Sequence, residues 1–85
     1  MITIAIYSRP GCHLCEEMKA VVQRVVQREH AAVTIDEIDI STDPSLESRY
    51  GLEIPVLMVE GRKVAKYRVT EDEVTRMLAA RKGDR

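Results

Sequence analysis

The feature that most constrains the fold is a pair of cysteines, Cys12 and Cys15, placed where an alternating apolar segment gives way to a helical one. Apolar residues alternate along residues 2–7, which predicts a strand, and Ser-Arg-Pro-Gly at 8–11 predicts a turn. A stripe of helical period follows, formed by Leu14, Met18, Val21, Val22, Val25 and Val26. The sequence therefore predicts Cys12 at the start of a helix, with Cys15 turned inward one turn later.

The middle of the chain predicts a second strand and a short helix. The apolar alternation of residues 33–40 changes phase half-way, so we expect a strand that is shorter than this run or carries a bulge. Asp43-Pro44 predicts the start of a helix over 44–50, because aspartate favours the N-cap and proline the first turn. Gly51 is expected to end this helix in the left-handed conformation.

The last third predicts a hairpin and a final helix. Residues 55–59 and 63–67 are strand candidates on either side of a Glu60-Gly61 turn. A Thr-x-x-Glu capping box at 70–73 predicts a helix that ends near Gly83. The order is β-α-β-α-β-β-α, which predicts an α/β fold with a mixed four-stranded sheet flanked by helices.

Chain length and net charge limit the number of domains and the classes of partner that we expect. Eighty-five residues predict a single domain over 1–85 with a loose tail at 81–85. The net charge of −1 favours neither nucleic acid nor an anionic membrane, and no apolar run reaches the ~18 residues of a membrane helix. The first residues lack a secretion signal. We therefore expect a cytoplasmic, soluble protein, monomeric and without nucleic-acid or membrane partners.

The cysteine spacing points to thiol chemistry. Only the thiolate is nucleophilic, and a free cysteine has a pKa of about 8.5. A helix N-terminus offers partial positive charge and unpaired N–H groups, so we predict a lowered pKa for Cys12, the nucleophile, with Cys15 resolving the mixed disulfide. An imidazolium at His13 is a candidate for tuning the Cys12 pKa, and the alternative is a histidine that simply faces water.

Two other readings of the cysteines stay open. A tetrahedral zinc site needs four ligands, and beyond the cysteines the chain has only His13 and His30, so we predict no metal site within one chain. Two chains could instead share a metal ion or an iron–sulfur cluster through Cys12 and Cys15, which would make the protein a binding or carrier protein. A third hypothesis is an interaction module whose cysteines are idle.

Two motifs together carry a family resemblance: the run Tyr-Ser-Arg-Pro-Gly-Cys-His-Leu-Cys that ends at Cys15, and the Glu-Ile-Pro-Val at 53–56. With them the chain resembles the glutaredoxin-like branch of the thioredoxin superfamily, over residues 2 to about 78. The resemblance implies a thioredoxin-like fold in which Pro55 is cis and faces the cysteines, while the backbone of Ile54 binds the substrate. It also implies that Tyr7 and Arg9 border the thiol and meet a glutathione carboxylate.

The implied activity is that of a thiol–disulfide oxidoreductase. Its substrates would be disulfide-containing proteins or glutathione mixed disulfides, and its role electron transfer in cell redox homeostasis. No bound cofactor is implied; glutathione is a candidate co-substrate, and the reductant would be glutathione or a thioredoxin reductase-like enzyme. Typical glutathione-using members have Thr-Val-Pro at 53–55 and a Gly-Gly turn with acidic residues near 65–69. This chain departs at both places, and without the glycines its backbone is expected to approach glutathione less closely.

Overall fold

The computed structural model describes the backbone of residues 2–82 and the side chains of residues 2–80. The elements follow the predicted order: β1 (Ile2–Ser8), α1 (His13–Arg28), β2 (Val33–Asp39), α2 (Pro44–Tyr50), β3 (Val56–Val59), β4 (Arg62–Lys66) and α3 (Glu71–Lys82). No helix within residues 2–82 is long and apolar enough to cross a membrane.

The four strands form one mixed sheet in the order β2-β1-β3-β4. β1 is parallel to β2 and antiparallel to β3, and β3 and β4 form the antiparallel hairpin. Because β1 and β2 are parallel, their carboxyl ends, Ser8 and Asp39, lie at the same edge. The turn that carries the cysteines begins at this edge.

Helices cover both faces of the sheet. One face packs against α1 and α3 in a buried apolar cluster, made of Ile4, Ile6, Met18, Val22, Val25, Leu57, Val59, Val69, Val74 and Leu78. On the other face the register aligns Tyr7 with Ile38 and Val56. The Tyr7 ring there packs on Tyr50 of α2, with 4.9 Å between ring centroids.

This two-sided packing explains the phase change in residues 33–40. Val33 and Ile35 pack against the α1 and α3 cluster, whereas Ile38 lies on the face that α2 covers. Of the two predicted alternatives the shorter strand is confirmed and the bulge is absent, since β2 pairs with β1 residue for residue. The strand is one residue shorter than the apolar run, because Ile40 is buried at the start of a 3₁₀ turn.

The irregularity lies in the β3–β4 hairpin instead. The register shifts between Leu57 and Met58, which makes Val64 the extra residue of β4, the edge strand. The hairpin turns at Glu60 and Gly61, both with positive φ (52° and 80°). A pair of positive φ angles suits the right-handed twist of the flanking strands, and the predicted turn is confirmed.

The predicted capping box begins α3. The Thr70 N–H donates to Glu73 Oε1 at 2.9 Å, and the Glu73 N–H donates to Thr70 Oγ1 at 3.1 Å. These two bonds satisfy donors that a helix start leaves without partners. The helix runs to Lys82, and residues 83–85 of the predicted tail lie outside the described residues.

Gly51 departs from the prediction. It ends α2 in the right-handed conformation, with φ −55° and ψ −30°, so the expected left-handed conformation is wrong. A Cβ atom at Gly51 would lie 2.5 Å from the Glu47 carbonyl oxygen, 3.1 Å from Glu47 Oε1 and 3.3 Å from Arg9 Nη2. The Glu47 carbonyl oxygen of the preceding turn therefore excludes a side chain here, and the Arg9–Glu47 ion pair crowds the same space.

Candidate active site

The turn before the cysteines is built by Pro10 and Gly11. The Cys12 N–H donates to the Arg9 carbonyl oxygen at 3.2 Å, and Gly11 has a φ of 80°. Proline followed by a residue of positive φ is typical of a type II turn, in which glycine adopts the third position without strain. This turn leads directly from β1 to α1 and fixes Cys12 at the helix start.

Cys12 and Cys15 are joined in a disulfide, with 5.2 Å between their Cα atoms. Cys12 is the N-cap of α1, where its backbone is extended and its Sγ accepts a hydrogen bond from the Cys15 N–H at 3.1 Å. Cys15 is 1% exposed, and Cys12 is half-buried. The arrangement leaves Cys12 as the accessible sulfur and places Cys15 against the core.

Ile54 and Pro55 lie at the same edge of the sheet as the cysteines. The peptide bond between them is cis. Tyr7 pairs with Val56 in the antiparallel register, so Pro55 comes next to Ser8, where the cysteine turn begins. Pro55 is buried and Ile54 is half-buried, and binding of substrate by the Ile54 backbone stays a prediction.

The structure directs Tyr7 and Arg9 toward α2. Arg9 Nη2 donates to Glu47 Oε1 in an ion pair, and Tyr7 packs on Tyr50. Sequence reasoning missed Glu47 and Tyr50 as neighbours of the turn, because both contacts join residues about 40 positions apart and no local pattern marks them. Glutathione binding by Tyr7 and Arg9 stays a prediction.

His13 is the first residue of α1 and is exposed. Among the side chains that the structure describes, His13 has no hydrogen-bond or ion-pair partner. It lies at the position where an imidazolium would add to the positive end of the helix. Its tuning role stays a prediction.

Tyr67 and Leu52 were not predicted as site residues. Tyr67 has a φ of 69°, and its N–H donates to the Pro55 carbonyl oxygen at 2.8 Å. Its hydroxyl donates to the Leu52 carbonyl oxygen at 3.0 Å. A positive φ at a bulky residue costs of order 1–3 kcal/mol and persists only where its surroundings hold it, as these two hydrogen bonds do here. Tyr67 thus adopts the positive φ of this turn, in the region where typical glutathione-using members have glycines.

A groove of about 200 Å³ runs along this side of the site. Its walls are the first turns of α1 and the segment between β4 and α3, lined by Leu14, Glu17, Met18, Val21, Tyr67, Arg68, Val69 and Thr70. It is mostly apolar, with Glu17 and Arg68 as its charged groups. Leu14, which lines the groove, stands between the two cysteines in the sequence, two residues after Cys12.

Charges near Ile54 are set by Glu53 and Lys63. Lys63 Nζ donates to Glu53 Oε1 at 2.9 Å. This hydrogen bond holds the pKa of Glu53 below its ordinary value, so the carboxylate is ionised at neutral pH. A negative charge therefore stands next to Ile54, at the position where typical relatives have a neutral threonine.

A polar network supports the opposite side of the turn. The buried Ser8 hydroxyl donates to Glu37 Oε2 at 3.3 Å, and Lys19 Nζ donates to Glu37 Oε1 at 3.0 Å. The hydrogen bond from Lys19 raises the pKa of that lysine. These bonds tie β1, β2 and α1 together beneath the cysteines.

Among the described side chains, no three His, Cys, Asp or Glu residues are grouped as a metal site, and the shared-metal hypothesis stays untested.

Comparison with known proteins gives the family. The family model described as "Glutaredoxin-like domain (DUF836)" matches residues 3–79. The chain belongs to the glutaredoxin-like family. A curated relative, the "Glutaredoxin-like protein YDR286C homolog" of Dictyostelium discoideum, is 30% identical over 77 residues, which cover 86% of this chain and 71% of the relative.

Solved structures share the thioredoxin-like fold of this chain. Protein XcR50 from X. campestris is 28% identical with a TM-score of 0.76, covering 91% of this chain and 96% of that one. Protein Ne2328 from Nitrosomonas europaea is 29% identical with a TM-score of 0.74, covering 91% of each chain. Chloroplastic thioredoxin z, 11% identical with a TM-score of 0.77 and coverage of 98% and 80%, shows the shared fold. This fold with its disulfide-forming cysteine pair supports a redox role and suggests an oxidoreductase.

Proposed function

We propose that this chain is a thiol–disulfide oxidoreductase that reduces disulfide bonds of proteins through Cys12 and Cys15. The observation that carries the proposal is the geometry of the pair: Cys12 Sγ caps α1 and accepts the Cys15 N–H, and the buried Cys15 is within bonding reach. An accessible sulfur at a helix N-terminus with a second sulfur one turn behind is the arrangement that disulfide exchange requires.

The first step is attack by Cys12. Its thiolate displaces one sulfur of the substrate disulfide, so that a bond forms between Cys12 and the substrate while the substrate S–S bond breaks. The displaced sulfur leaves as a thiolate and takes a proton from water. The N–H groups of the first turn of α1 stabilise the attacking thiolate, because none of them has an intrahelical acceptor.

The second step is resolution by Cys15. Its thiolate attacks Cys12 Sγ, the mixed disulfide breaks, and the second substrate thiol is released. Two electrons have passed to the substrate, and the chain is left with the Cys12–Cys15 disulfide. Two molecules of glutathione, or a thioredoxin reductase-like enzyme, would return it to the dithiol, without any cofactor bound to this chain. We infer that it works as a monomer in the cytoplasm, where thiols are kept reduced.

Protein disulfides fit the site better than glutathione mixed disulfides. Arg9, the residue expected to meet a glutathione carboxylate, is already paired with Glu47. Lys63 is likewise paired with Glu53 beside Ile54, so neither of these two cations is free for a glutathione carboxylate. An extended protein segment needs only main-chain partners at Ile54, which these charges leave unaffected.

Single-turnover reduction tests the proposal. Reduced protein is mixed with a peptide that holds one internal disulfide, and the thiols are alkylated at intervals and weighed by intact mass. Wild type should reduce the peptide stoichiometrically, Cys12→Ser should not react, and Cys15→Ser should stop at the protein–peptide mixed disulfide. An unchanged rate in Cys12→Ser would refute the proposal. Stoichiometric metal in the purified protein, bound through the two thiols, would favour the carrier hypothesis instead.

A further inference from the structure

Two exposed apolar side chains lie together beside the site. Leu52 is 93% exposed and Tyr67 is 44% exposed, which makes them two of the three exposed large hydrophobic residues among those the structure describes. The Tyr67 hydroxyl donates to the Leu52 carbonyl oxygen, so the two residues adjoin. We call these two residues, together with Lys66 and Arg68, the Leu52–Arg68 rim. The name denotes these four residues and not the whole segment between them.

The rim contacts segments that adjoin the cysteine turn in the sequence or in the sheet. Tyr67 donates its N–H to the carbonyl of Pro55, which lies beside the cysteine turn. Tyr67 and Arg68 also line the groove that Leu14 enters from between the two cysteines. A substrate segment whose disulfide reaches Cys12 therefore passes over the rim.

The rim carries two cations that form no ion pair within the described part of the chain, and the charge of Lys66 also acts on the Glu53 carboxylate. Lys66 Nζ lies 5.5 Å from the centre of the Tyr67 ring, and Arg68 is exposed on the groove. Neither side chain is in an ion pair with any side chain that the structure describes. The nearby carboxylate of Glu53 is bonded to Lys63, and the groove contributes one further carboxylate, Glu17. Unpaired cations beside exposed apolar side chains complement an acidic segment with an apolar residue.

We propose that the Leu52–Arg68 rim selects protein substrates whose disulfide is flanked by acidic residues and an apolar side chain. The inference rests on the proposed function and adds the class of target to it. The apolar residue covers Leu52 and Tyr67, and the carboxylates face Lys66 and Arg68. Complementary charge at the edge of an interface raises the association rate and discriminates against partners of like charge, more than it raises overall affinity.

Two matched peptides test this inference. Each holds the same internal disulfide and one leucine, and the flanking residues are glutamates in one peptide and lysines in the other. Wild type should reduce the acidic peptide with a kcat/KM about three to ten times higher at low salt, since exposed charge pairs contribute ~0.2–1 kcal/mol each. High salt should erase the preference. The double variant Lys66→Glu/Arg68→Glu should invert it.

Arg62→Glu is the matched control for the variant. It reverses one cation on the same strand as Lys66, and four residues of strand place it roughly 13 Å from Lys66, beyond the ~10 Å screening length at 0.1 M ionic strength, where the variants are compared. Equal kcat/KM for the two peptides in wild type, or an equal effect of Arg62→Glu, would overturn the inference while leaving the oxidoreductase intact. Failure to reduce either peptide, or a small neutral disulfide, would overturn the proposed function itself.

Discussion

The backbone N–H of Cys15 donates a hydrogen bond to Cys12 Sγ over 3.1 Å. The bond exists because Cys12 is the N-cap of α1, so its side chain faces the N–H groups that lack helical acceptors. In the reduced protein we expect the same N–H groups to face a thiolate. The fold thus provides the reactive sulfur with a preformed anion site made of main-chain atoms.

The reduced protein should contain one acidic and one ordinary thiol. We expect a Cys12 pKa below the usual value of about 8.5, because the helix start stabilises its thiolate. Cys15 should titrate higher, since burial disfavours its charged form. The rate of alkylation of each thiol against pH, read by peptide mass, measures both values. A Cys12 pKa at or above 8.5 would contradict this electrostatic explanation.

His13 is tested by the same titration. If its imidazolium assists the thiolate, His13→Gln should raise the Cys12 pKa, while His30→Gln, at the far end of α1, should leave it unchanged. Equal pKa values in wild type and His13→Gln would show that the helix start alone activates the thiol.

The local parts of this site could be predicted from sequence. The cysteine turn, the capping box at 70–73 and the strand after Pro55 each rest on residues only a few positions apart, whose backbone preferences act alone. The ion pair of Arg9 and the contacts of Tyr67 could not be predicted in this way. They join segments that are distant in the chain, so they depend on how α2 and the β4–α3 segment pack on the sheet.

Packing between distant segments also explains the alternative left open for residues 33–40 and the wrong prediction for Gly51. The phase change in residues 33–40 reflects helices on both faces of the sheet, which no single strand reveals. Gly51 was assigned a left-handed conformation because glycine commonly ends helices in that way. The structure shows that the Glu47 carbonyl oxygen excludes a side chain there and that the Arg9–Glu47 ion pair crowds the same space, which is invisible in the sequence.

The pairing of Arg9 with Glu47 predicts how the chain treats glutathione. Glu47→Gln frees the guanidinium, so kcat/KM for a glutathione mixed disulfide should rise about two- to fivefold, in line with the ~0.2–1 kcal/mol of an exposed ion pair. Arg9→Gln should lower it. Stopped-flow reduction of a glutathionylated peptide gives both values, and no response to either change would remove Arg9 from the binding site.

Truncating leucine to alanine at one buried and one exposed position tests which residues form the hydrophobic core. Leu78→Ala empties a site in the buried cluster and should lower the free energy of unfolding by about 2–5 kcal/mol. Leu52→Ala makes the same truncation at a side chain that is 93% exposed, and should change it by less than about 0.5 kcal/mol. Urea unfolding followed by circular dichroism measures both. Comparable losses would contradict the assigned core.

Stability should depend on pH through Glu71. Its pKa lies below the ordinary 4.5, chiefly because Arg24 and Arg28 donate hydrogen bonds to the carboxylate. A lowered folded-state pKa adds stability above the unfolded value, and this stability is lost as the pH falls through the folded value. The unfolding free-energy difference between wild type and Glu71→Gln should therefore be constant well above pH 4.5 and shrink below it.

Asp72→Asn is the control for this series. It removes the same charge one residue along α3, at a carboxylate that forms no ion pair with the described side chains. Urea titrations at stepped pH from 7 to 3 compare the three proteins. A Glu71→Gln difference that persists undiminished to pH 3 would show that its ion pairs do not stabilise the contact between α1 and α3.

The central claim is that Cys12 and Cys15 form a reversible redox couple, and its most direct test is equilibration in glutathione buffers of stepped potential. Thiols are trapped by alkylation, and each species is read by intact mass. We predict a two-electron transition of the Cys12–Cys15 disulfide with a midpoint between about −180 and −270 mV. Two thiols that stay reduced across the whole range, or that metal shields from alkylation, would contradict the claim.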